Sequence, residues 1–136
     1  MSDLSKFQFN GYSINKSLIE LQENSNFDNI KIGFKVSGLV NQNEKIYFLN
    51  LSVSITNEEK DLKIQVDAIG KFKFESVEKI EDISSFFYTN SSAILFPYIR
   101  AYISTLTNLS GNRSITLPTM NLTNLAEELK SNTKIV

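Results

Sequence analysis

Acidic residues stand in adjacent pairs at Glu58-Glu59, Glu81-Asp82 and Glu127-Glu128, and two carboxylates are what a glycosidase-type acid and nucleophile are built from. That chemistry needs both groups in one cleft with their pKa values driven apart. Each pair here falls in a polar turn or on a helix flank, where a solvated charge is the expected role. Gly111-Asn112-Arg113-Ser114 is too short for a phosphate-cradling loop, and it follows a helical pattern instead of opening one. Lys71-Phe72-Lys73-Phe74 alternates base and ring, as a single-strand nucleic-acid stacking platform would. In a strand the two rings share one face and the two lysines the other, and rings buried under helices cannot stack on bases. Single-strand nucleic-acid binding, or another oligomeric interaction role on the same fold, is therefore the alternative reading and not the leading one.

The chain contains no cysteine and no histidine. Disulfides are excluded, and so are thiolate or imidazole metal sites and the zinc chemistry they support. Cys–His and Ser–His nucleophile systems are excluded as well. The reading is of a protein that is not an enzyme, with no catalytic residue, no metal and no cofactor. Its 136 residues, 41 % apolar and 21 % charged, fit one globular domain over residues 1–136. A formal charge of −1 predicts no long-range pull toward nucleic acid or anionic membrane. No apolar run approaches the roughly 18 residues of a membrane span, and MSDLSKFQFNGYS lacks the pattern of a signal peptide. The expectation is a cytoplasmic protein without membrane insertion.

The elements that carry these residues follow from periodicity. Phe7 and Phe9, then Ile30, Ile32, Phe34 and Val36, then Tyr47 to Ile55, then Leu62 to Ala68, all alternate apolar with polar. Such alternation predicts antiparallel strands with one buried and one wet face. Asn41–Glu44 and Asn57–Asp61 are hairpin-like connections. Leu18–Asn29 is polar and long, and reads as a crossover between non-adjacent strands. Gly70 reads as a bulge before Phe72 and Phe74 resume the pattern. After Glu75 the period changes. Ile80, Ile83, Phe86 and Phe87 suggest a short helix. A second, starting at N-cap candidates Asn90, Ser91 and Ser92, carries the stripe Ile94 to Leu106, with Pro97 near its first turns and Gly111 ending it. Leu122, Leu125, Ala126 and Leu129 predict a last short helix capped by Asn121 or Thr123, and the final SNTKIV is expected to be loose. Strands first and helices later predict an α+β fold, a four-stranded antiparallel sheet with helices packed on one face.

SAILFPYIRAYI from Ser92 to Ile103 and SITLPTMNLTNLAEEL from Ser114 to Leu129 resemble the C-terminal half of SecB, the export chaperone that holds unfolded polypeptides. The run Ile94-Leu95-Phe96-Pro97-Tyr98, with Arg100 and Ile103 behind it, carries most of the resemblance. FQFNGYSINKSLIELQEN resembles the family's first strand and crossover, and IKIGFKV and VDAIGKFKF its second and fourth strands. The resemblance implies a dimer of dimers, a homotetramer joined through the long helix, and ATP-independent holding of unfolded client polypeptides in apolar grooves. By similarity Phe27, Ile30 and Ile32 form one wall of the client groove, and Leu122, Leu125 and Leu129 the facing wall. Ile94, Tyr98, Ile99, Tyr102 and Leu106 are the expected oligomer interface. SecB docks on the export motor SecA through acidic residues; Glu20 matches one such position, while Lys16 and Gln65 stand where others would be. Some SecB-like proteins instead guard an aggregation-prone antitoxin, so SecA and a toxin–antitoxin pair are the two candidate working partners.

Overall fold

A computed structural model describes residues 7–22, 24–75 and 80–136. Alternation lays down the strands as the sequence predicts: β1 (Phe7–Leu21), β2 (Ile30–Asn41), β3 (Ile46–Asn57) and β4 (Leu62–Phe74). β2, β3 and β4 form an antiparallel meander, and β1 lies antiparallel beside β4, so the chain crosses the sheet between Leu21 and Ile30. The crossover expected over Leu18–Asn29 is thus present but shorter. Leu18 to Leu21 still belong to β1, paired with Gln65 to Leu62.

The sheet has five strands, not the four expected. Thr133–Ile135 forms β5, parallel to β2 at Gly38–Val40, within the order β1-β4-β3-β2-β5. The final residues are therefore not loose. Val136 N–H donates to Val40 O at 2.8 Å, and Gln42 N–H donates to Val136 O at 3.1 Å. A three-residue strand shows no alternation to read; it forms because the β2 edge offers unpaired backbone groups.

Two further expectations are corrected. Gly70 lies within an unbroken β4, and the register shifts fall in β1 instead, between Phe9 and Tyr12 and between Ile14 and Lys16. Gly70 serves close packing, since an added Cβ would meet Leu95 Cδ2 at 3.2 Å. The two predicted helices are one, α1 (Ile80–Leu109), with Pro97 inside it. Ser91 and Ser92 are not caps but buried interior residues, and Asn90 Nδ2 donates to Phe86 O at 3.1 Å. Continuity is explained by one i, i+4 ridge of buried residues, Ile83, Phe87, Ser91, Leu95, Ile99, Ile103 and Thr107. The helix ends at Gly111, whose φ of +83° suits glycine.

The core lies between this ridge and the inward rows of the sheet, including Tyr47, Leu51, Ile55, Ile64, Val66 and Phe72. After α1 an extended arm returns along the helix. Thr107 Oγ1 accepts from Ile115 N–H at 2.9 Å, and Arg100 Nε–H donates to Leu117 O. These contacts seat Ile115 and Leu117 in the core. Asn121 Oδ1 then accepts from Thr123 N–H at 3.1 Å. A single 3₁₀ turn (Thr123–Leu125) follows and leads into α2 (Ala126–Ser131).

Candidate polypeptide-binding groove

β2 has two outer partners along its length, and one stretch with none. Its even-numbered residues direct their backbone groups away from β3. Val36 N–H donates to Glu128 Oε2 at 2.9 Å, Val36 O accepts from Asn132 Nδ2 at 3.1 Å, and Gly38 N–H donates to Asn132 O at 3.2 Å. Antiparallel pairing alternates residues that face the partner with residues that face away. Ile30, Ile32 and Phe34 therefore point N–H and C=O outward as Val36 does, and among the described residues no strand lies beside them.

The same three residues carry their side chains inward, half-buried against the fringe of the core together with Phe27 and Leu125. Phe34 meets Phe96 of α1 edge-on, ring centroids 5.7 Å apart. An open strand edge and an apolar strip thus occupy one place. Asn57, buried at the end of β3, donates to Asn26 O at 3.2 Å and so anchors the crossover that presents Phe27. Arg113 pairs with Asp28 at 3.5 Å across exposed surface, a contact of little energetic weight.

Of the predicted groove residues, Phe27, Ile30, Ile32 and Leu125 are half-buried at the fringe of the core. Leu122 and Leu129 are buried in the core itself at 3 % and 0 % exposure. Phe34, not among the predicted groove residues, continues the same inward row next to Ile32, as the Ile30-Ile32-Phe34-Val36 alternation in the sequence indicates. Along α1, Tyr98 is exposed, Ile94, Tyr102 and Leu106 are half-buried, and Ile99 lies in the core of its own chain. Tyr98 packs beside Tyr12 and Phe9 of β1, ring centroids 4.9 and 5.3 Å away. Tyr102 shares a hydroxyl–hydroxyl hydrogen bond with Ser17.

The wet face of the sheet carries the charges. Glu20 is exposed opposite Lys63, and Gln65 donates to Asp67, which also accepts from Ser52 Oγ at 2.6 Å. Phe72 and Phe74 are buried while Lys73 is exposed, so strand alternation separates rings from bases as anticipated. Among the described residues no cluster of acidic side chains could hold a metal ion, and no helix is long and apolar enough to cross a membrane. A concavity of about 810 Å³ spans the wet face from Asp67 and Ser52 to Glu128 and Asn132 at the β2 edge.

An open sheet of this order with one long helix across its inner face is the fold of SecB-like chaperones. The SecB-like chaperone Rv1957 of Mycobacterium tuberculosis, solved with a ChAD peptide of the HigA1 antitoxin, superposes with a TM-score of 0.71 at 14 % identity, over 85 % of this chain and 88 % of that one. A Streptococcus agalactiae protein of unknown function is a looser match, with a TM-score of 0.43 at 11 % identity, over 82 % and 96 % of the two chains. The uncharacterized protein MJ0357 of Methanocaldococcus jannaschii is 33 % identical over 103 residues, 69 % of this chain. The chain spans about two thirds of that relative's length, 66 %. The family model for SecB, preprotein translocase subunit, matches residues 13–132. The chain belongs to the SecB family, as the ILFPY run and its surroundings suggested.

Proposed function

We propose that this protein is an ATP-independent holdase that keeps non-native polypeptides extended along the outer edge of β2. The observation that carries this reading is the coincidence at Ile30–Phe34 of outward backbone groups with a half-buried apolar strip. An unfolded client offers the complement, unpaired N–H and C=O groups with apolar side chains in no fixed sequence. Strand addition reads the backbone and asks little of the sequence, while Phe27, Ile32, Phe34 and Leu125 receive alternate side chains. Membership in a family of non-enzymatic chaperones agrees with this, and no step of the reading needs a nucleotide or a metal.

Two finer features belong to the same proposal. The Tyr98 and Tyr102 side of α1 joins protomers into a tetramer, its aromatic bodies with polar tips suiting an interface. The client is an aggregation-prone antitoxin in preference to a preprotein bound for SecA. That choice is supported by the fold shared with the antitoxin-peptide-binding chaperone of M. tuberculosis, and by Lys16 and Gln65 at positions where docking acids were expected.

Ile32→Pro tests the mechanism. Proline is tolerated on an edge strand where the N–H faces outward, yet it removes the donor that strand addition uses. With Ile32→Val as the control that keeps the N–H, light scattering of a denatured client diluted with each protein should show suppression by the Val variant and its loss in the Pro variant. Equal suppression by both, with unchanged circular dichroism, would remove strand addition from the reading. No suppression by the unmodified protein would remove the holdase.

A further inference from the structure

The open stretch at Ile30–Phe34 is one part of a longer edge. β2 runs from Ile30 to Asn41, and its outward groups from Val36 onward are all engaged by the chain's own last residues. Glu128 and Asn132 meet Val36 with side chains, a carboxylate taking its N–H and an amide giving to its carbonyl. Asn132 O takes the Gly38 N–H, and Val136 both gives to Val40 O and takes from Gln42 N–H. These are the bonds that an added strand would make, supplied piecemeal by a turn of helix and three residues of β5.

We propose that the client groove extends the full length of β2 and that Thr133–Val136, together with the Glu128 and Asn132 contacts at Val36 and Gly38, is an intrachain stand-in for the client, which an extended polypeptide displaces. The inference rests on the holdase reading and concerns how much edge that site offers and what guards it.

Three observations support it. The inward row is continuous, since Val36, Gly38 and Val40 prolong Ile30, Ile32 and Phe34 on the same face. The stand-in is held lightly: Lys134 is exposed, and Ile135 and Val136 retain 49 % and 66 % of their accessible surface, leaving Thr133 as the half-buried member. It also pairs in parallel, the slightly weaker of the two strand pairings. Gly38 is shaped for a close occupant, because a Cβ there would stand 2.6 Å from Thr133 Oγ1 and 3.1 Å from the Phe87 ring. A client strand crossing Gly38 finds the same room. Guarding the edge in this way also protects it from pairing with another copy while no client is present.

The chain has no cysteine, so a pair introduced by Leu39→Cys and Lys134→Cys, directly opposed between β2 and β5, pins the stand-in when oxidised and frees it when reduced. The probes are fluorescein-labelled apolar peptides of about six and about twelve residues, matched at about 3.3 Å per residue to the open stretch and to the whole edge. In the reduced protein the longer peptide should bind about tenfold tighter than in the oxidised protein, with the shorter peptide binding both alike. Deleting residues 133–136 should reproduce the reduced state. Equal binding of the longer peptide to locked and freed protein overturns the stand-in and leaves the open groove intact. Absence of binding by either peptide to any form overturns the holdase reading with it.

Discussion

Tyr47 shows how one side chain links core packing to pH. It is fully buried, its hydroxyl 2.8 Å from Ser84 Oγ, and burial pushes its pKa from 10.0 up to about 12, against the lowering effect of that hydrogen bond. Above pH 10 the unfolded chain gives up this proton while the folded chain keeps it. Folding therefore gains stability in full below pH 10 and loses it as pH rises toward about 12. Urea unfolding at pH values across that interval should show a slope that Tyr47→Phe flattens; an unchanged slope would mean that other groups set it. Ser91 and Ser92 present the opposite case, as buried hydroxyls with no hydrogen-bond partner among the described residues. Ser91, on the ridge of α1, serves by being small, letting the helix lie close over the sheet.

α1 and the β2–β5 pair are the elements whose nature sequence reading misjudged, and each for a definite reason. A run of Asn90, Ser91 and Ser92 before Pro97 has the composition of a helix start. Only contact with the sheet shows that Ser91 continues a buried ridge from Ile83 to Thr107. Pro97 supplies no N–H to Ala93 O, a defect worth up to about 3 kcal/mol in a helix interior relative to alanine. Pro97→Ala is expected to raise stability by about 1–3 kcal/mol, read as a higher denaturation midpoint. A lower midpoint would show that packing on the sheet requires a bend there. β2, β3 and β4, by contrast, were legible because each alternates over 12 or 13 residues with one face buried. The short crossover boundary at Leu21 was not, since polar residues on an edge strand look the same as a loop.

For the whole molecule, the exposed part of α1 and the neighbouring edge of β1 form a single aromatic surface around Tyr12, Phe9 and Tyr98. Exposed rings gathered this way mark an association surface more often than solvated scatter. Tyr98→Asp should leave the monomer fold intact, because the side chain keeps 43 % of its surface open, and should dissociate the proposed tetramer. Multi-angle light scattering would report the fall in mass, and an unchanged mass would place the interface elsewhere. The proposed client edge of β2 lies on the far side of the sheet from β1, so the dissociated variant should still bind the short apolar peptide.

By itself the amino-acid sequence determined the α+β character of the fold, the strands β2 to β4, the absence of cysteine and histidine chemistry, and the family. Alternation, composition and the ILFPY run are local properties that survive without a third dimension. The fifth strand, the unity of α1 and the division of the groove residues between open strip and core were decided only by tertiary structure. Each depends on which surface comes to rest against which: three residues become a strand because β2 has an edge to fill, and serine becomes core because a sheet lies over it. The proposed client site has the same origin, as Ile30, Ile32 and Phe34 acquire their outward backbone groups only when β3 takes one side of the strand and, among the described residues, nothing takes the other.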